Sequence, residues 1–106
     1  MVTAEQIQGG KVLAEQAGLA MYQRVGERDA CGFGWVDVYV DRTNSKQAKE
    51  LLKAGFRKDY KPKCLSMWDP AGIPTQSVSV KEAGAEAYAT YLRALGLTAY
   101  AGSRLD

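Results

Sequence analysis

The chain has 106 residues, 46% hydrophobic and 25% charged, a balance that fits one folded domain over residues 1–106 and argues against intrinsic disorder. Fourteen Lys and Arg against twelve Asp and Glu leave a formal charge of +2, too little to make a nucleic-acid binder on net charge alone. The absence of histidine excludes Ser-His-Asp and Cys-His machinery and His-ligated zinc. No run of about 18 apolar residues occurs, which excludes a transmembrane helix, and Met1 to Gly10 lacks the basic start and apolar stretch of a secretory signal. An intracellular site is expected, with Cys31 and Cys64 kept as free, partly buried thiols.

Thr3 and Gln6 have capping-box spacing and Val2 and Ile7 that of a hydrophobic staple, so a helix is predicted from residue 4. Val12, Leu13, Ala17, Leu19 and Ala20 carry its apolar face to about Arg24. Gly9, Gly10 and Gly18 each weaken it by roughly 1 kcal/mol relative to Ala, so it depends on tertiary packing or on close approach of another backbone. From Cys31 to Asp41 the period changes to two: Val36, Val38 and Val40 share one face, Trp35, Asp37 and Tyr39 the other. Asn44 and Gln47 are read as capping a second helix through Ala48, Leu51 and Leu52, ended by a left-handed Gly55 with a Leu51–Phe56 contact.

Short extended runs follow at Arg57–Tyr60 and Lys63–Trp68, then a turn-rich loop over residues 68–74. Ser79 and Glu82 are read as the capping box of a third helix that Gly96 stops. Leu97–Ala101 is a final strand, and Gly102–Asp106 a mobile tail or exposed contact element. The order predicts an α+β fold, a split βαβ (ferredoxin-like) sandwich with an additional N-terminal helix. Its sheet has four strands if both short runs pair and three if only one does.

Charge is unevenly spread. From Asp41 to Lys63 eight basic residues (Arg42, Lys46, Lys49, Lys53, Arg57, Lys58, Lys61, Lys63) meet three acidic ones, a local +5 that leaves −3 elsewhere. Lys46, Lys49 and Lys53 recur at helical spacing and form a ridge, either a solvated face or a surface for phosphates or an acidic protein. Trp35 and Tyr39, with Tyr100 from the last strand, are able to stack bases as sheet aromatics do in RNA-recognition modules. The competing expectation is that the N-terminal helix covers them, and Asp37 and Asp41 beside Tyr39 would repel phosphates. Those two carboxylates lie about 13 Å apart along a strand, too far for a glycosidase pair, and Arg28, Arg42 or Arg104 are available to pair with them instead. Gly32 and Gly34 open a strand and lack the rest of a phosphate-binding loop. No cofactor or metal site is expected.

The segments CGFGWVDV, KELLKAGFRKDY, QSVSVKEAGAEAYATYLRALGL and AYAGSRLD resemble small proteins of tailed bacteriophages over about residues 30–106, with a departure at Lys61-Pro62-Lys63. The resemblance implies a phage origin, expression in the cytoplasm of the bacterial host, and action by binding host or anti-phage defence machinery. The expectation is therefore a non-enzymatic protein that presents its basic helix and adjoining loop to a protein partner. The alternative is a nucleic-acid-binding module using Lys46, Lys49, Lys53, Arg57, Lys58, Lys61 and Lys63 on phosphates with Trp35 or Tyr39 stacking. An enzyme is the third possibility, a virion component a fourth, and a homodimer through an open sheet edge is compatible with each.

Overall fold

Thr3 accepts a hydrogen bond from the Gln6 amide and the Gln6 side chain accepts from the Thr3 amide, completing the expected capping box. In the computed structural model, which describes residues 1–106, helix α1 then spans Ala4–Gln8. The helix does not continue unbroken: α2 occupies Gly10–Val25, followed by a 3-10 turn at Gly26–Arg28. The division falls against two tyrosines of the last helix. A Cβ at Gly9 would stand 2.7 Å from the Tyr91 hydroxyl, and one at Gly10 within 2.7 to 2.9 Å of the Tyr91 and Tyr88 rings. These glycines allow the close approach that their cost in helix stability implied.

The other elements are β1 (Gly32–Tyr39), α3 (Lys46–Lys53), β2 (Arg57–Lys58), β3 (Cys64–Trp68), α4 (Val78–Ala94) and β4 (Thr98–Leu105). Two caps fall on other residues than expected. Ser45 caps α3 by accepting from the Ala48 amide, while the Gln47 side chain exchanges hydrogen bonds with the backbone of Val2 at 2.8 and 2.9 Å. Ser77 caps α4 by accepting from Val80, and Glu82 accepts from the Ser103 hydroxyl instead of closing a box. The stops are as expected. Gly55 and Gly96 have φ of +107° and +98°, and Phe56 and Leu97 donate back to Leu51 and Leu92 in the Schellman pattern.

Both short extended runs pair, so the sheet has four strands, antiparallel throughout, in the order β2-β3-β1-β4. β3 lies between β1 and β2, the two strands joined through α3. β4 is longer than expected, and the tail is no tail: pairing runs from Tyr39↔Thr98 to Gly32↔Leu105. β3 reaches only as far as Trp35, so β4 is the ladder partner that satisfies the start of β1.

Every helix contributes to one core. Val36, Val38, Leu65, Met67 and Ala99 from the sheet meet Ile7, Ala14, Ala48, Leu51, Ala85, Tyr88, Ala89 and Leu92, each large side chain contributing on the order of 1.5 to 3 kcal/mol. Phe56 packs edge-on against Tyr88 at 6.0 Å, and the buried Tyr88 hydroxyl donates to the Ile7 carbonyl at 2.8 Å, so the one polar atom of that ring is satisfied. No helix is long and apolar enough to cross a membrane.

The start of α4 is held by Asp29, whose carboxylate accepts from the Ser77 hydroxyl at 2.6 Å and the Ser79 amide at 2.8 Å. These bonds, the Ser77 bond foremost, lower its pKa from 3.8 to about 2. A carboxylate depressed by folding stabilises above its unfolded pKa and loses that contribution as pH falls through the folded value. Ser77→Ala is expected to cost about 1 kcal/mol at neutral pH, and Asp29→Asn to flatten the loss of stability between about pH 4 and pH 2; urea titrations across that window check both.

Candidate functional site

With the helices on one side, the opposite face of the sheet consists of the alternate side chains of its own strands. β1 presents Phe33, Trp35, Asp37 and Tyr39 there. The register sets Trp68 across from Trp35, Ser66 from Asp37 and Cys64 from Tyr39, with Arg104, Gly102 and Tyr100 beside Phe33, Trp35 and Asp37 on β4 and Arg57 beside Ser66 on β2. The N-terminal helix does not cover this face, contrary to expectation. α2 packs on α4 and the loop before it through Gly10, Ala14 and Gly18, where a Cβ at Gly18 would meet Ile73 at 2.6 Å and Ala71 at 3.1 Å; Val12, Leu13, Leu19 and Ala20, expected on its buried face, are exposed because these small residues are the ones that allow the close approach.

Five aromatic rings therefore share the face of the sheet opposite the helical layer. Trp35 and Trp68 stack with centroids 4.8 Å apart and planes 26° apart, Phe33 meets Trp68 edge-on at 5.9 Å, and Tyr39 meets Tyr100 at 6.2 Å. Trp68 and Tyr100 remain 50% and 55% exposed. The Trp35 indole lies directly on Gly102, where a Cβ would come within 2.5 Å of its ring atoms; a side chain there would push the ring off the sheet. The Arg104 guanidinium stands 5.3 Å from the Phe33 ring centre and 5.9 Å from that of Trp68, within cation–π range.

The β2–β3 loop is fastened over the middle of this face. The Lys61 ammonium lies 2.5 Å from Asp37 and 3.8 Å from Asp59. Asp59 also accepts from the Ser66 hydroxyl and the Lys61 amide, and the Trp35 indole donates to Asp37 at 3.3 Å. Asp37 pairs with this lysine and not with the arginines expected of it, so its charge is balanced where it would otherwise repel a phosphate. One of its oxygens, Oδ1, is buried with no hydrogen-bond partner. The bond to Asp37 raises the pKa of Lys61, keeping the ammonium charged. The ligand atoms of Asp37, Asp59 and Cys64 lie within 4.8 Å of one another, and the cation that both carboxylates hold is Lys61. Burial first, then the Asp37 charge, pushes the Cys64 thiol up to about 11, so it stays protonated and a poor nucleophile at neutral pH. Cys31, expected to be partly buried, is exposed.

The sequence-derived residues divide between two sides of the molecule. Trp35, Tyr39, Arg57 and Lys61 belong to the open face. Lys46, Lys49 and Lys53 are exposed on α3, whose buried Ala48 and Leu51 sit in the core on the helical side, and Lys53 is paired with Glu50 at 3.2 Å. Lys58 lies opposite Leu65 and so on the helical side of the edge strand, and Lys63 occupies a left-handed turn position with φ +57°. The lysine ridge and the aromatics are thus on opposite layers and do not form one site. Phe33, Trp68 and Arg104 complete the platform although spacing alone did not single them out. The alternation of Cys64, Ser66 and Trp68 against Leu65 and Met67 was the available signal.

Trp35, Trp68, Arg104, Asp59, Tyr60 and Lys61 line a slot of about 120 Å3 at this face. A larger open groove of about 600 Å3 runs between α2 and α4, walled by Leu13, Ala17, Ala87 and Tyr91. It offers apolar surface with few polar groups, whereas the slot combines flat rings with both signs of charge.

Lys61→Met strands the Asp37 charge and is expected to destabilise the fold by about 1 to 3 kcal/mol, while Asp37→Asn in the same chain recovers most of that loss; a double-mutant cycle in urea measures the coupling. No protein-family model matches this chain, nor does any curated protein or solved structure.

Proposed function

We propose that this protein is a non-enzymatic binding domain whose ligand surface is the open face of the sheet, and that its ligand is single-stranded nucleic acid. The observation that carries this reading is the stacked Trp35–Trp68 pair on adjacent central strands, uncovered by any helix, with Arg104 over its edge. Exposed aromatic faces are costly to leave in water, and each base stacked on such a ring contributes about 1 to 3 kcal/mol whatever its identity. Arg104 and Arg57 supply phosphate contacts at the rim, and the Lys61 pairing removes the repulsion that Asp37 would otherwise exert. The ligand is single-stranded because the bases must be unstacked to lie on the rings. The four-stranded antiparallel order, with β3 inserted between β1 and β2, supports assigning the ferredoxin-like arrangement with an added N-terminal helix.

A second reading rests on a separate observation. Lys46 and Lys49 form an exposed ridge with no ion-pair partner on the opposite layer, which suits an acidic protein surface such as a component of host or anti-phage defence. Phage origin and action in the host cytoplasm belong to the proposal through the sequence likeness. A homodimer, if formed, has the outer edge of the eight-residue β4 available for pairing.

Fluorescence anisotropy with a labelled uridine strand of about eight nucleotides tests the first reading. Binding is expected to weaken with salt at a log–log slope of about −1.4, as for the two phosphate contacts of Arg57 and Arg104 on a single strand. Trp68→Ala should lower affinity by about 1 to 3 kcal/mol, and the double charge reversal Lys49→Glu with Lys53→Glu should change it by no more than about twofold. Binding abolished by the charge reversal and indifferent to Trp68 would move the site to α3.

A further inference from the structure

We infer that the slot beside the Trp35–Trp68 stack is a subsite for one guanine base; this rests on the reading of the open face as a nucleic-acid surface. Two features set the slot apart from the rest of the platform. It is the place on this face where a carboxylate and a guanidinium, Asp59 and Arg104, line the same small space together with the indoles. Beside them Tyr60, at the tip of the fastened loop, is 92% exposed, an aromatic ring with no protein surface to cover it.

The polar groups choose among bases. Asp59 accepts one bond at each oxygen, from Ser66 and from the Lys61 amide, and each carboxylate oxygen retains acceptor capacity. A carboxylate is best matched by two adjacent donors, and guanine offers them as N1–H and the N2 amino group. Cytosine and adenine each place a ring acceptor beside their single amino group, and uracil has one N–H between two carbonyls. On its other edge guanine presents O6 and N7, the acceptor pair that a guanidinium reads in bidentate fashion. Arg104, which carries no salt bridge of its own, supplies that fork when guanine fills the slot and gives up its phosphate contact to do so, leaving Arg57 at the rim. The loop that places Asp59 is itself tied down through Lys61 to Asp37 and Asp59, and Asp59 to Ser66, so the acceptor is positioned before a ligand arrives. Guanine in a strand and free guanine nucleotide share this chemistry.

The test compares a labelled strand of about eight uridines with the same strand carrying one central guanosine, on the unsubstituted 106-residue chain and on Asp59→Asn, with guanosine monophosphate as competitor. The expected result is about tenfold tighter binding of the guanosine strand. That preference, measured as the ratio of the two strands' affinities for the same protein, should be lost in Asp59→Asn. Competition by guanosine monophosphate at concentrations similar to the strand assigns the slot to the free nucleotide, and competition only at far higher concentrations assigns it to guanine within a strand. Equal binding of the two strands, or a preference that survives Asp59→Asn, overturns the guanine assignment and leaves the platform standing. Failure of both strands to bind overturns the platform as well.

Discussion

Strand β1 meets the helical layer on one side only, and the rest of the molecule follows from that. Its alternation sends Val36 and Val38 into a core built by all four helices, and Phe33, Trp35 and Tyr39 to the opposite side, where the helices contribute the Lys81 ammonium 5.6 Å from the Phe33 ring. The N-terminal helix forms no second layer there. It instead packs on α4, because Gly10 and Gly18 in α2 and Gly84 in α4 remove the side chains that would hold these elements and the preceding loop apart. The same glycines that lower helix propensity thus direct the helix to the already covered side. The aromatic face is a consequence of where the small residues are.

An uncovered aromatic face needs order as well as exposure. Order comes from three contacts: the Trp35 indole lying on Gly102, its N–H bonded to Asp37, and Asp37 held by Lys61. Asp37 is therefore part of the support for the platform. Its negative charge, which on spacing alone argued against a phosphate-bearing ligand, is balanced within the protein. The lysine that balances it belongs to the loop that brings Asp59 and Tyr60 to the slot, so the ion pair links the floor of the face to its rim.

Much of the fold was legible in the sequence because its signals are local. The Thr3–Gln6 box, the Gly55 and Gly96 stops and the period-two run of β1 require only residues a few positions apart. What escaped were choices between local candidates settled at a distance. Ser45 caps α3 because Gln47 is held by Val2, forty-five residues away in sequence, and Ser77 caps α4 because Asp29 reaches it. The length of β4 depended on the empty flank of β1, which is a property of the sheet. For the site, Trp35 and Tyr39 were visible from alternation, while Trp68 and Arg104 reach them only through the antiparallel register. The lysine ridge was legible as a pattern, but its side of the molecule was fixed by the burial of Ala48 and Leu51.

The claim that the open face, and not α3, is the ligand surface is tested most directly by nuclear magnetic resonance with a uridine strand titrated into labelled protein. The chain has two tryptophans, so its indole N–H signals report on Trp35 and Trp68 without ambiguity from other residues. The account predicts that both indole signals and the amides of Tyr100 to Arg104 shift with the strand while Lys46 to Lys53 stay in place. Shifts confined to Lys46–Lys53, or a spectrum unchanged at saturating strand, would contradict it.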